Sequence, residues 1–256
     1  MRLSRAPWYV EFFGDDYLEA YRDVLTPERT KREVEFVQKA LELEPGAHVL
    51  DLCCGEGRHA LLLASRGLVV TAQDLSEEYL KTAQEAADEQ GVSIELVTGD
   101  MREIPFTDRF DAVINMFTAF GYLESDEEDA KVLHSAANAL KPGGKLLLDT
   151  INREWVVAHN IPAEWRIEDD GTAYLESREL DLETSLNHVS FTLIDPDGVR
   201  RSSVGHHVRL YTLTEMIRML EAAGLTYERA YGDFDGGEYE RESQRMIVVG
   251  RKGEPG

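Results

Sequence analysis

HVLDLCCGEGRHALLLASRGLVVTAQD (48–74) is the stretch on which the fold turns. HVLDL (48–52) is a short apolar run of strand length, and it passes into Cys53-Cys54-Gly55-Glu56-Gly57, a turn rich in glycine. A helix follows over about 58–66, closed by Gly67, and LVVTAQ (68–73) is a second strand with Asp74 at its end. Strand, glycine turn, helix and strand in that order make the unit from which parallel sheets are built.

The alternation extends in both directions. Upstream, Val34, Phe36, Val37, Ala40, Leu41 and Leu43 fall among charged residues as the apolar face of a helix over 28–44, stopped by Pro45-Gly46. Downstream, Ser76 caps a helix reaching Gln90, SIELV (93–97) and DAVIN (111–115) are the third and fourth strands, and Ser125-Asp126-Glu127-Glu128 reads as a capping box. The turn Lys141-Pro142-Gly143-Gly144 leads into a fifth strand, KLLLD (145–149). Strands and helices in this rhythm predict a Rossmann-like, doubly wound α/β sheet.

Between about 150 and 211 the period changes to two. Val189, Phe191 and Leu193 alternate with polar residues, Asp195-Pro196-Asp197-Gly198 makes a turn, and Val204, His206, Val208 and Leu210 alternate again. A small antiparallel β insertion is predicted. A further capping box, Thr212-Leu213-Thr214-Glu215, opens a helix, and strands near 225–232 and 244–250 return to the main sheet, giving seven strands that are mainly parallel. The predicted organisation is an N-terminal segment over 1–27, a core over 28–150, the insertion over 151–211 and a closing part over 212–256, with the tail RKGEPG frayed.

A chain of 256 residues can bury one such core with its insertion. MRLSRAPWYV (1–10) holds no signal-type apolar stretch, and no later run reaches the roughly 20 apolar residues of a membrane span. A cytoplasmic protein without membrane association is expected. Cys53 and Cys54 are the only cysteines, and neighbours cannot staple distant segments, so free thiols are expected. The formal net charge of -22, from 49 acidic and 27 basic residues, repels polyphosphate backbones and argues against a nucleic acid partner. The same surplus is compatible with plain solubility, with a cationic small substrate or with a salt-adapted surface. The oligomeric state is left open, a homodimer included.

At 51–60, between a strand and a helix, backbone N–H groups and a helix N-terminus can hold an anionic or polar ligand closely, which the glycines permit, although a plain tight turn accounts for the same segment taken alone. Asp74 ends the next strand, about 20 residues on, from where a carboxylate reaches ribose hydroxyls in this topology. Taken alone, Asp74 reads equally well as a helix cap. Gly99-Asp100-Met101 after the third strand and LKPGGKLLLD (140–149) complete the pattern by which residues 28–150 resemble the class I S-adenosylmethionine-dependent methyltransferases. The resemblance implies S-adenosyl-L-methionine as cofactor, with Asp51, Cys53, Gly55 and Gly57 along its methionine part and Asp74 on the ribose. It further implies Asp100 and the Met101 backbone on the adenine, Leu75 against its ring, and Asn115 with Met116 closing the pocket. Cys53 departs from the pattern, which usually has glycine there.

Phe117-Thr118-Ala119-Phe120-Gly121-Tyr122 and the antiparallel insertion are similar to a small-molecule subgroup that includes sugar-amine N-methyltransferases. In that subgroup the insertion roofs the substrate site and an N-terminal aromatic segment covers the cofactor. Here that cover would be Tyr9 with Trp8, Phe12, Phe13, Tyr17 and Tyr21, although packing of a first helix accounts for the same residues. The Asn/Asp-Pro-Pro-aromatic tetrapeptide of base-amino methyltransferases is missing from the fourth-strand segment.

Methyl transfer to nitrogen or oxygen of a small molecule is an in-line displacement for which the protein supplies alignment and a dry pocket. The acceptor must lose a proton, and Tyr122, Asp149, His206, His207, Asp233 and Asp235 are the candidate bases. No metal site is expected, because adjacent strand residues such as His206 and His207 point to opposite faces. Two rival readings stand: an NAD(P)-dependent oxidoreductase, since Gly55 to Ala60 also satisfies G-x-G-x-x-A, and a non-catalytic S-adenosylmethionine-binding protein.

Overall fold

The computed structural model describes residues 7–14, 17–18, 21, 23–202 and 205–254. They form two compact units. The smaller takes helix α1 (Trp8–Phe12) and the described residues up to Thr26 together with Arg153–Leu210; the larger takes Pro27–Asn152 together with the chain from Tyr211 onward.

The larger unit opens with α2 (Pro27–Leu41), which buries Val34, Phe36, Val37 and Leu41 along one stripe. Then come β1 (His48–Leu52), α3 (Arg58–Ser65), β2 (Val69–Asp74), α4 (Glu77–Gln90), β3 (Glu95–Thr98), β4 (Phe110–Asn115), α5 (Asp126–Ala139) and β5 (Leu140–Ile151). After the residues of the smaller unit, α7 (Leu213–Ala222), β11 (Leu225–Tyr231) and β12 (Arg245–Lys252) complete it. The sheet runs β11-β12-β5-β4-β1-β2-β3. Strands β1 to β5 are parallel, and β12 lies antiparallel to both β5 and β11. This is the mainly parallel, doubly wound, seven-stranded sheet predicted. Its central strands are near-continuous apolar runs because helices cover both faces.

Three local readings need correction. Lys141-Pro142-Gly143-Gly144 lies inside β5 as a bulge: pairing with β4 jumps from Phe110–Leu140 to Ala112–Lys145, and Gly143 takes φ +75°. At α5 only half of the capping box forms. Ser125 accepts from the Glu128 N–H, but the Glu128 carboxylate is spent on Arg102 and Lys131. The reciprocal pair is complete at Thr212 and Glu215. Helix α2 ends at Leu41 rather than 44, since Glu42 turns left-handed at φ +57°.

The smaller unit contains α6 (Arg153–His159) and an antiparallel sheet of β6 (Ala163–Ile167), β7 (Ala173–Asp181), β8 (Leu186–Ile194), β9 (Arg200–Ser202) and β10 (His206–Arg209). Its order is β10-β8-β7-β6, with β9 also on β8. Phe12, Tyr174, Val189, Phe191 and Leu193 form its core, against which Trp8, Phe13, Tyr17 and Tyr21 pack. Val204 of the predicted alternation and the last two residues of the tail lie outside the described residues. Among the described residues no helix is long and apolar enough to cross a membrane. Both cysteines are free thiols.

Candidate active site

The carboxyl ends of β1 to β4 meet where the strand order reverses, the place at which open α/β sheets form a crevice. The turn after β1 is shaped by handedness. Gly57 sits at φ +77° as the residue before α3, and a Cβ there would come within 3.0 Å of the Ala83 Cβ. Cys53 adopts φ +61° despite its side chain. The turn is anchored to β2: the Cys54 N–H donates to the Gln73 carbonyl at 3.1 Å and the Gly55 N–H to Asp74 Oδ2 at 2.8 Å. Asp74 Oδ1 accepts from the Ser76 N–H at 2.9 Å. Asp74 is therefore both the helix-side acceptor and the brace of the glycine turn, and burial pushes its carboxyl pKa up.

Three side-chain oxygens around this crevice are buried with no hydrogen-bond partner: Asp51 Oδ2, Gln73 Oε1 and Asn115 Oδ1. Asp51 is 1% exposed, and burial raises its pKa. The amides of Asn115 and Gln73 spend only their donors, on the Leu52 carbonyl at 3.1 Å and the Asp100 carbonyl at 3.0 Å. Buried acceptors without donors call for a ligand that brings donors. S-adenosylmethionine brings an ammonium, ribose hydroxyls and an adenine amino group, so the residues present fit it.

Asp100 is gripped by Arg102, which sequence reasoning missed. Its Oδ1 accepts from the Arg102 N–H at 2.8 Å and Nε at 2.9 Å, and its Oδ2 from Nη2 at 2.6 Å. These bonds hold the Asp100 carboxyl below the usual range. Arg102 Nη1 continues to Glu128 at 2.6 Å, tying the β3 loop to α5. Cys53 Sγ lies 3.5 Å from Met101 Sδ, and burial pushes its thiol well up, so it packs rather than reacts. Met116 is buried and Leu75 exposed.

Of the candidate bases, Asp149 is structural. Its Oδ1 accepts from Arg245 Nε and its Oδ2 from the Phe117 N–H, each at 2.8 Å, while its carbonyl accepts from the Thr118 N–H at 2.9 Å. Arg245 Nη2 also donates to Thr118 Oγ1 at 2.9 Å. This brace holds two consecutive non-glycine residues, Phe117 at φ +60° and Thr118 at φ +61°, in left-handed backbone at the mouth of β4. Strain of that kind collects at functional sites. No residue type announces it in the sequence.

Asp233 shapes its own turn, accepting from the Asp235 and Gly237 N–H groups at 2.8 and 3.0 Å, and Asp235 pairs with Arg32. Tyr122 follows the strained turn and is half-buried. Tyr9, His206 and His207 belong to the smaller unit, where all three rings meet Trp8, at 5.8, 6.3 and 4.9 Å between centroids. Burial pushes the His206 imidazole down to about 4. Among the described residues no group of three or more His, Cys, Asp or Glu could hold a metal ion.

The fold matches that of a solved S-adenosylmethionine-dependent methyltransferase from Clostridium acetobutylicum ATCC 824, with a TM-score of 0.79, 19% identity and coverage of 93% of this chain and 96% of that one. Residues 49–144 match the family model described as a methyltransferase domain. YqeM of Bacillus subtilis (strain 168), which carries a provisional methyltransferase name, is 31% identical over 208 residues, covering 80% of this chain and 83% of that one. The chain belongs to the methyltransferases. A further relative of this methyltransferase is the dTDP-3-amino-3,4,6-trideoxy-alpha-D-glucopyranose N,N-dimethyltransferase of Streptomyces venezuelae, 29% identical over 191 residues, 72% of this chain and 77% of that one. The oxidoreductase reading of Gly55 to Ala60 is thereby overturned: the G-x-G-x-x-A spacing serves both families because both lay a nucleoside cofactor over the same turn.

Proposed function

We propose that this methyltransferase transfers the methyl group of S-adenosylmethionine to a small molecule, on nitrogen in preference to oxygen. The cofactor supplies an electrophilic methyl on sulfonium. The chain supplies Asp51 to accept from the ammonium, Asp74 to accept from the ribose, and Asp100 with the Met101 backbone for the adenine, with Leu75, Asn115 and Met116 along the pocket. The observation that carries the cofactor assignment is the trio of partnerless buried oxygens on Asp51, Gln73 and Asn115.

Nitrogen is favoured because both oxygens of Asp149 and Oδ1 of Asp233 are engaged elsewhere, and an amine can attack in its neutral form and pass its proton to water afterwards. The net charge of -22 supports a small acceptor over a nucleic acid, and the free thiols support a cytoplasmic setting. Incubation with methyl-labelled cofactor and matched amines, phenols and sugars tests this. Label should enter amines first; label confined to phenols, or to RNA, would contradict it.

The same proposal includes a homodimer. Strand β6 has no strand on its outer edge among the described residues, and Trp165 and Ile167 on it are 70% and 61% exposed. Antiparallel pairing with a second copy about Trp165 sets Glu164 of each strand opposite Arg166 of the other. Sedimentation should give twice the monomer mass for the native chain and the monomer mass for Trp165→Glu; a monomeric native chain refutes the dimer.

A further inference from the structure

The loop after β3 is fastened through its backbone and through one carboxylate. The Gly99 N–H donates to the Asp74 carbonyl at 3.0 Å, and the Asp100 carbonyl accepts from the Glu103 N–H at 2.9 Å and from Gln73 Nε2 at 3.0 Å. The position of the Asp100 backbone is thus set by β2 and by the loop itself. What remains to be set is the direction in which its side chain accepts.

An ionised carboxylate offers about four lone-pair sites. At Asp100, Oδ1 uses both of its own, on the Arg102 N–H at 2.8 Å and on Arg102 Nε at 2.9 Å, and Oδ2 uses one, on Nη2 at 2.6 Å. A single site is left, on Oδ2. The Asp100 side chain is 26% exposed, so that site is open to a ligand rather than sealed inside the protein. Hydrogen bonds from the Arg102 side chain hold the carboxyl pKa below the usual range, so the group accepts and does not donate.

Arg102 is itself held from behind. Its Nη1 donates to Glu128 Oε2 on α5 at 2.6 Å, with a Glu124 carboxylate oxygen 3.8 Å away. A planar guanidinium fixed along one edge presents the donors of its other edge in a set direction. Without it, the Asp100 carboxylate would turn about its own torsions and take its donors from water, and any ligand would have to pay back that freedom.

We propose that Arg102 is a positioning residue that determines base specificity: by occupying three sites of the Asp100 carboxylate it leaves one aimed acceptor, which selects a 6-aminopurine over a purine with no donor there. The inference rests on the assignment of Asp100 to the adenine and adds the residue that makes Asp100 selective.

Calorimetry on the full chain compares S-adenosylhomocysteine with its purine analogue, which lacks only the 6-amino group. The native chain should bind S-adenosylhomocysteine tighter by about tenfold or more, as expected for a charge-assisted hydrogen bond. Arg102→Met should bring that ratio to within about threefold, and leave the purine analogue within about threefold of its native affinity, since that ligand never used the acceptor. Arg102→Lys keeps the charge without the fork; it should melt like the native chain and still lose most of the ratio, which covers a methionine variant that fails to fold. A role in folding alone weakens both ligands alike, so a native-like ratio in either folded variant overturns the proposal. Asp100→Ala separates the two levels. A ratio lost there but kept in the Arg102 variants leaves Asp100 on the adenine and removes Arg102; a native chain that binds both ligands equally removes the Asp100 assignment, and the proposal with it.

Discussion

Asp74 shows how one side chain serves structure and ligand together. It accepts from the backbone of Gly55 and of Ser76, so it sets the glycine turn and fixes the residue that caps α4 before any ribose arrives. Asp74→Ala should therefore raise the cofactor dissociation constant about tenfold to a hundredfold, the loss of a charge-assisted hydrogen bond worth about 1.5–3 kcal/mol. Calorimetry that finds the constant unchanged removes Asp74 from the site. Asp149 is the contrasting residue, fully buried and paired with Arg245. Asp149→Leu leaves that guanidinium without its partner and should cost about 3–5 kcal/mol in denaturant unfolding. Replacing both residues by apolar ones should recover part of the loss, and a double variant no better than the single one would refute the pairing as its cause.

Elements differ in how well their sequences declare them, and the capping boxes allow a measured comparison. The reciprocal box at Thr212 and Glu215 is complete, whereas at Ser125 only the serine contributes. Thr212→Ala should cost about 1 kcal/mol and Ser125→Ala less, read as shifts in unfolding midpoint; the opposite order would contradict the geometry. The core strands were legible because each is a short run of strand length, mostly apolar, set between helices. AEWRI of β6 was not, since every residue of it is exposed and no buried face imposes a period of two. The bulge in β5 was hidden because Pro-Gly-Gly announces a turn without saying whether pairing resumes after it.

The site divides in the same way. The places of Asp51, Asp74 and Asn115 at or near the carboxyl ends of their strands were readable because the alternation of strands and helices fixes those ends in space, while the cofactor roles proposed for Asp51, Asp100 and Asn115 came from the resemblance. Arg102 and Arg245 were not, because their value lies in partners that only the folded chain brings near. The left-handed pair Phe117 and Thr118 carries no glycine to betray it.

At the level of the whole molecule, the two units differ in what acid does to them. His206 sits among Phe12, Phe191 and Trp8, and burial first, then the neighbouring His207, lowers its pKa from 6.5 to about 4. His207 is shifted the same way, by burial and by His188. The unfolded chain therefore takes up protons that the folded smaller unit refuses, so stability is unaffected above pH 6.5 and falls as pH drops from 6.5 towards 4. For His206 the loss amounts to about 3 kcal/mol. Trp8, Trp155 and Trp165, the three tryptophans of the chain, all lie in this unit, so their fluorescence follows its unfolding alone. His206→Phe should flatten most of the slope across that window; an unchanged slope would mean that other groups cause it.

The brace on the strained turn has a consequence for the order in which the protein comes into being. Arg245 reaches back 96 residues to Asp149 and 127 to Thr118. Chain closure over such distances waits for the late residue to exist, and long-range pairings are the slow ones. A nascent chain can lay down its five parallel strands on the ribosome while Phe117 and Thr118 still relax toward ordinary backbone. Only when translation has delivered β12 can Arg245 lock the mouth of β4, so the shape of the turn depends on a residue made long after the turn itself.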